Sequence, residues 1–210
     1  MKIDLIGGGG LTREVIDAFR CSRASASMQL SGVYDDDTRF VGAQIGGLPW
    51  LGTVGDFLER ATPDSRYFIG IGNNAARERI ANDCQKISPH AVTIVHPTSA
   101  VSPSAEIHEG TYVAAFSFVG PNSRIGRHAI VNVGVSIGHD AVIEDFAHLC
   151  PGVRVSGYCQ IGKKSFLGSN AVVAPSVRMG AEARLGAASF AHRNVPDGRL
   201  ALGCPARVVL

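Results

Sequence analysis

The chain has 210 residues, 45% of them hydrophobic, with 20 basic and 18 acidic side chains for a formal net charge of +2. That length allows one large or two small domains, and the scattered basic residues argue against a nucleic-acid footprint or a polybasic membrane anchor. No apolar run approaches the roughly 18–20 residues of a spanning helix, and the start, Met1 to Ile6, meets glycines too soon to form a signal-peptide core.

Residues 1–90 read as alternating strands and helices. Lys2–Ile6 is a short apolar strand ending in Gly7-Gly8-Gly9-Gly10, and Thr12–Phe19 carries Val15, Ile16 and Phe19 at helical spacing. Ser31–Tyr34 is a second strand, ending in Asp35-Asp36-Asp37. A glycine-rich stretch, Val41–Gly52, reads as a loop around Pro49, and Val54–Arg60 as a short helix. Tyr67–Ile71 is a third strand closing in Gly72-Asn73-Asn74. Ala75–Ile87 follows as a helix, then Val92–Val95 as a last strand before His96-Pro97. This alternation implies a small parallel sheet with helices on its faces. Such sheets bind ligands at the carboxyl ends of their strands, here Gly7–Gly10, Asp35–Asp37 and Gly72–Asn74. The glycines allow a phosphate to approach the backbone at a helix start, and the acidic run can accept hydrogen bonds from ribose hydroxyls or a base edge. A full dinucleotide site is not expected, because the GxGxxG pattern fails at Thr12 or Arg13.

The grammar changes at residue 95. Val95, Val101, Ile107, Val113, Val119, Ile125, Val131, Ile137, Ile143, Leu149, Val155, Ile161, Leu167, Val173, Met179 and Leu185 stand six residues apart without a gap. An aliphatic repeat at this period implies a β-solenoid. Calling each of these residues i, position i−2 is small almost throughout (Ala105, Ser123, Ala141, Ser165) and position i+1 is often glycine (Gly120, Gly126, Gly138, Gly162, Gly168). The pattern suits a triangular prism with one inward aliphatic residue per face, a small residue at each corner, and glycine at i+1 to relax the turn. Three hexapeptides make one coil. The reading divides the chain into a substrate-binding α/β domain at 1–94, a β-helix at 95–192 and a capping tail at 193–210. Long flat β-faces favour self-association.

Position on the prism sorts the histidines. His90, His96, His108, His128 and His192 read as structural or surface residues. His139 falls at i+2, facing outward, with Asp140 beside it and Gly157 stacked on it one coil later. A neutral imidazole there can take a proton from an attacking nucleophile near neutral pH. A carboxylate can orient the ring, and a backbone N–H such as that of Gly157 can meet the developing oxyanion. An exposed histidine beside a solvated aspartate is the plainer reading of the same residues. Five cysteines (Cys21, Cys84, Cys150, Cys159, Cys204), odd in number and with no CxxC pair, read as reduced packing thiols in a cytoplasmic protein.

The hexapeptide column resembles the left-handed β-helix acyltransferases, and the whole chain is similar to their NeuD/PglD-type sugar acetyltransferases. The shared features are the glycine-rich first turn, Asp35-Asp36, Ile71-Gly72-Asn73-Asn74, His96-Pro97, the stretch from Gly138 to His148, and the tail Gly203-Cys204-Pro205-Ala206-Arg207. The resemblance implies a Rossmann-like α/β domain followed by an all-β left-handed parallel β-helix. It implies acetyl-CoA as co-substrate, no metal, and a homotrimer with the active site between subunits. It implies His139 and Asp140 as catalytic residues, and His148, Gly157, Ser169 and Ala187 as contacts to acetyl-CoA. Gly9, Gly10, Leu11, Asp35, Asp36 and Gly72 become contacts to a nucleotide-linked amino sugar. Relatives often carry Gly-His-Gly in the first turn, whereas the histidine position here is Leu11, so any polar contact from that histidine is absent. The expected activity is N-acetylation of such a sugar in surface glycan biosynthesis. The alternatives are O-acetylation of sialic acid or another sugar hydroxyl, and a non-catalytic nucleotide-sugar binding protein. A zinc hydrolyase of the hexapeptide type would need three histidines meeting at a subunit interface, two of them five residues apart, and no histidine pair here has that spacing.

Overall fold

Parallel strands alternating with helices at one end of the chain, and two-residue strands six residues apart at the other, give two units, residues 1–97 and 98–210. The computed structural model describes residues 1–88 and 90–209; Leu210, the end of the expected tail, lies outside them. Among the described residues no helix is long and apolar enough to cross a membrane.

In the first unit β1 (Lys2–Ile6), β2 (Gln29–Tyr34), β3 (Gln44–Ile45), β4 (Leu48–Gly52) and β5 (Tyr67–Ile69) form one sheet in the order β3-β4-β2-β1-β5. β1 pairs in parallel with both β2 and β5, and β2 with β4. The helices are α1 (Gly10–Cys21), α2 (Val54–Arg60) and α3 (Asn74–Gln85). Val15, Ile16 and Phe19 are the buried stripe of α1, as their spacing indicates. A capping box between Thr53 and Asp56 starts α2, and the Asn73 side chain caps α3.

The expected loop at Val41–Gly52 is instead a β-hairpin that widens the sheet. β3 and β4 are antiparallel, with Ile45 opposite Leu48. Gly46 and Gly47 make the two-residue connection with φ of 57° and 79°. Two consecutive positive φ angles are the requirement of a hairpin turn that matches strand twist, and glycine meets it without strain. The last strand of this unit is also shorter than expected, Ile94–Val95.

The second unit is a parallel β-helix. Each strand pairs with the one a full coil later, so Val119, Ile137, Val155, Val173 and Ala191 lie in one register along the first face. The second face runs from Glu106–Ile107 to Arg178–Met179, and the third continues through Arg184–Leu185 into the tail strands Leu200–Gly203 and Ala206–Val208. From Val113 to Leu185 every member of the aliphatic column is at most 2% exposed, whereas Val101 and Ile107 are half-buried. The small i−2 residues fill the inside of the corners. Where they carry hydroxyls, these donate to backbone carbonyls: Thr111 to Gly126, Ser117 to Asn132 and Ser165 to Gly180. Charge pairs also stack one coil apart, Arg124 with Glu106 and Lys164 with Glu182.

The glycines at i+1 do a different job from the one expected of them. The left-handed corner residue is i+3, and at most corners it is not glycine: Phe116, Asn122, His128, Asp140, Phe146, Tyr158 and Lys164 all have φ between 52° and 60°. Glycine is needed at i+1 because the next coil is too close. A Cβ on Gly138 would stand 2.6 Å from the Gly157 nitrogen, and on Gly162 2.6 Å from the Ala181 nitrogen. Both obstacles are backbone and have no rotamer in which to yield.

Gly162→Ala is therefore expected to destabilise the fold by about 3 kcal/mol, at the upper end of overpacking effects. Gly134→Ala, at an open corner with φ of 67°, loses only about 1 kcal/mol of left-handed strain. Urea unfolding of the two variants measures the order. Burial pushes the Cys84 thiol up to about 12 and Cys150 up to about 11, and raises Cys159, whose thiol donates to the Ala174 carbonyl. Near neutral pH a disulfide reagent should label the two exposed thiols, Cys21 and Cys204, quickly and the other three only after denaturation.

Candidate active site

The corner between the first and second faces holds the catalytic candidates. Strand Ser136–Ile137 enters it and strand Val142–Ile143 leaves. Asp140 occupies the left-handed position, φ 55°, which turns its carboxylate back along the chain toward its neighbour. His139 Nδ1 lies 2.8 Å from Asp140 Oδ2. With the carboxylate ionised, Nδ1 carries the proton and donates, which leaves Nε2 as the free lone pair. Asp140 is held below the usual carboxylate range, first by its hydrogen bond with His139 and then by those of Asn122 and Tyr158. The His139 side chain is 55% exposed, so its ring is open to a ligand.

Gly157 lies against that ring. A Cβ there would come within 2.7 Å of both Cε1 and Nε2 of His139. Any side chain at 157 would cover the nitrogen that has the lone pair. The Gly157 N–H also makes no hydrogen bond among the described residues. At equivalent positions elsewhere a carboxylate takes the amide: Asp145 for Arg127, Glu144 for Lys163 and Asp197 for Ala181. Ser169 and Ala187 occupy the same i+2 position on the corner between the third and first faces, and their N–H groups are likewise unused among the described residues. Three amides on the solenoid edges are thus left without an acceptor among the described residues.

His148 is elsewhere. It stands on the outer surface of the third face, its ring edge-on to Phe166 at 5.2 Å. In a three-sided prism that face is opposite the corner of His139. One copy of the chain therefore does not bring His139 and His148 together.

The strand ends of the first unit form a second assembly. Gly7 needs its freedom, with φ of 103° and Ile71 packed against it, and Gly8 faces the Phe40 ring, 2.7 Å from where a Cβ would be. Gly9 and Gly10 have open space around them, and Gly9 starts α1 without a side-chain cap. The expected contacts Gly9, Gly10 and Leu11 are thus the uncapped N-terminal turn of a helix, suited to an anion. Asp35 is already engaged: Oδ2 accepts the Gly8 N–H at 2.5 Å and Oδ1 the Asp37 N–H at 2.7 Å. Asp36 Oδ1 accepts the Val54 N–H at 2.9 Å. A carboxylate has about four lone-pair directions, so both keep acceptor capacity, but both also brace loops.

Sequence reasoning missed the residues that tie these loops together. The Thr12 hydroxyl donates to the Gly7 carbonyl and reaches the Gly70 carbonyl at 3.2 Å. Where a dinucleotide fingerprint would need glycine, this chain has a clamp between two strand ends. Arg77, 1% exposed, donates to the carbonyls of Ile71 (2.7 Å) and Gly72 (3.3 Å) and to Asn74 Oδ1 (2.9 Å). Burial lowers its pKa to about 9, which still leaves it charged at neutral pH. Among the described residues no group of histidine, cysteine and acidic side chains could hold a metal ion.

The profile of the PglD N-terminal domain matches residues 2–84, and that of the hexapeptide repeat of succinyl-transferase matches residues 118–144 and 159–189. Perosamine N-acetyltransferase from Caulobacter crescentus, solved as a histidine-to-asparagine mutant with CoA and GDP-perosamine, is 31% identical with a TM-score of 0.89, covering 100% of this chain and 97% of that one. The chain belongs to the NeuD/PglD-type sugar acetyltransferases. Its β-helix is therefore the left-handed one of the hexapeptide acyltransferases. The acetyltransferase domain of PglB from Neisseria gonorrhoeae, with acetyl coenzyme A, superposes on this acetyltransferase with a TM-score of 0.90 at 27% identity, covering 99% and 98% of the two chains. GDP-perosamine N-acetyltransferase of Escherichia coli O157:H7 is 27% identical over 166 residues, 79% of this chain and 74% of that relative.

Arg77→Met in this acetyltransferase strips donors from three loop acceptors. A loss of about 1–3 kcal/mol is expected, read by urea unfolding, with Arg77→Lys recovering part of it.

Proposed function

We propose that this enzyme transfers the acetyl group of acetyl-CoA to the amine of a nucleotide-linked amino sugar, with His139 as general base. The observation that carries the reading is His139 Nε2 standing over bare Gly157 while Nδ1 is bonded to Asp140. The similarity to GDP-perosamine N-acetyltransferases over most of the chain makes GDP-linked amino sugars the first acceptors to test. The UDP-N-acetylbacillosamine enzyme of Bacillus subtilis, 32% identical over 120 residues, makes UDP-linked ones the second.

The chemistry follows from the groups present. The acceptor amine attacks the thioester carbonyl carbon, and His139 Nε2 takes the amine proton as the C–N bond forms. Asp140 stabilises the resulting imidazolium. The Gly157 N–H points its dipole at the carbonyl oxygen as charge builds there. The C–S bond breaks, and the imidazolium returns its proton to the sulfur. The products are an amide and free CoA, with no covalent enzyme intermediate. On this reading the uncapped turn at Gly9–Leu11 receives the acceptor's diphosphate, and Asp35, Asp36 and Gly72 border the nucleoside.

The acyl site is completed by a second copy of the chain. His139 and His148 face opposite sides of the prism, so a site using both takes one from each of two subunits. Exposed apolar residues on and beside the first face, Phe116 (73%), Phe118 (45%) and Val133 (41%), supply the apolar surface for that association. A closed ring of three subunits satisfies every such pairing.

Free CoA thiol should appear with GDP- or UDP-linked amino sugars, and not with sialic acid. His139→Ala should lose a factor of about 10²–10⁴ in kcat. Turnover only with an unlinked sugar, or full activity in His139→Ala, would overturn the reading. Mixed oligomers of His139→Ala and His148→Ala should regain part of the activity that each variant lacks; two inactive variants that stay inactive when mixed would place both histidines in one subunit's site.

A further inference from the structure

Asp140 belongs to a column of corner residues that recur once per coil: Ser104, Asn122, Asp140, Tyr158 and Ser176. Asn122, Asp140 and Tyr158 all have left-handed backbones, φ 56°, 55° and 59°, so their side chains leave the corner in the same direction. Asn122 Nδ2 donates to Asp140 Oδ1 at 3.3 Å, and the Asn122 backbone N–H is fixed on Ser104 Oγ at 3.1 Å. From the coil on the other side the Tyr158 side chain is a further, smaller influence that lowers the pKa of the same carboxylate. Its ring stands edge-on to the imidazole, centroids 5.0 Å apart at 87°. Backbone bonds hold the coils in register here: the Asp140 N–H on the Pro121 carbonyl and the Tyr158 N–H on the His139 carbonyl.

Both oxygens of Asp140 are thus engaged, Oδ2 by His139 and Oδ1 by Asn122. A free aspartate beside a histidine swings between rotamers and frees the ring to turn. This one is held at Oδ1 by the preceding coil, while the Tyr158 ring of the following coil packs against the imidazole. The surrounding charges are few. Asp140 is the acid in contact with His139 among the described residues. Of the outward residues on the strands flanking this corner, Phe118, Arg124, Ser136, Val142, Arg154 and Gln160, only the two arginines are charged, and Arg124 is paired with Glu106.

We propose that Asn122 and Tyr158 are positioning residues of the acyl-transfer site, which fix the Asp140 carboxylate so that His139 Nε2 stays over Gly157 and which moderate that carboxylate's pull on the imidazolium. The inference rests on the reading of His139 as general base. Its consequence has a sign. Each donor on a carboxylate disperses its charge. Removing a donor concentrates the charge, favours the imidazolium, and moves the acid limb of kcat/KM to higher pH. Removing the carboxylate itself moves the limb the other way.

The test is the pH profile of kcat/KM for purified, folded Tyr158→Phe, Asn122→Gly, the double variant and Asp140→Asn. Tyr158→Phe keeps the ring, and glycine accepts the left-handed backbone. The acid limb should rise by about 0.3–1 pH unit in each single variant and further in the double, while in Asp140→Asn it falls. If Asn122→Gly does not fold, Asn122→Asp, which keeps the shape and sets a second carboxylate against the first, should raise the limb further still. A merely structural role would lower the amplitude and leave the limb in place. An unmoved limb in Tyr158→Phe and the Asn122 variant, with His139→Ala inactive, overturns this inference alone. A fully active His139→Ala overturns the reading beneath it.

Discussion

The close approach of one coil's backbone to the next governs the C-terminal half of this protein. Parallel strands stack at about 4.7–4.9 Å, and at the i+1 positions the contact is backbone on backbone, with no room for a methyl group at Gly120, Gly138, Gly162 or Gly168. That contact keeps every coil at three hexapeptides, so each corner position becomes a column running the length of the prism. The corner of His139 is assembled by intersecting these columns. His139 and Gly157 are successive members of one, and Asn122, Asp140 and Tyr158 of its neighbour. An aromatic or carboxylate in a left-handed conformation costs about 1–2 kcal/mol, and the ladder of inter-coil hydrogen bonds holds it there.

The N-terminal unit solves a different problem with different means. Its three strand-end loops leave open space at Gly9 and Gly10 and yet hold their shape. Polar side chains tie them from behind. Thr12 bridges the carbonyls of Gly7 and Gly70, Asp35 takes the Gly8 amide, and Arg77 takes the carbonyls of Ile71 and Gly72. With the loops braced at their bases, Gly9 and Gly10 have nothing within 4 Å of where a side chain would be. Desolvating a guanidinium is expensive, and the bonds of Arg77 to the loop carbonyls offset part of that cost.

The solenoid was legible because an aliphatic residue every six positions has no competing explanation, and the outward setting of His139 followed from its place after Ile137. The corner conformation was not legible, since the i+3 residues include Phe116, His128, Lys164 and Glu182 and share no chemistry; the backbone requirement comes from stacking, which no single hexapeptide shows. The hairpin at Gln44–Gly52 was hidden by Pro49, although Gly46-Gly47 between short apolar segments was its signal. Thr12 looked like a failed fingerprint because its partner carbonyls are 5 and 58 residues away. Asn122 and Tyr158 were within reach, since stepping one coil either way from Asp140 arrives at both.

The fixed coil length also sets how such a chain can diverge. Loss or gain of one residue within a coil would shift the inward aliphatic residue out of every later face, whereas loss or gain of a whole coil would leave the core pattern intact and simply slide one part of an edge past another. The last turn is shorter, with Val195 rather than Asp197 set against Met179. The ladder goes out of step there, after the corner of His139, so the tail can vary in length without disturbing the alignment of His139 with Gly157. Variation in this enzyme would then come in two sizes, whole modules inside the prism and single residues beyond it.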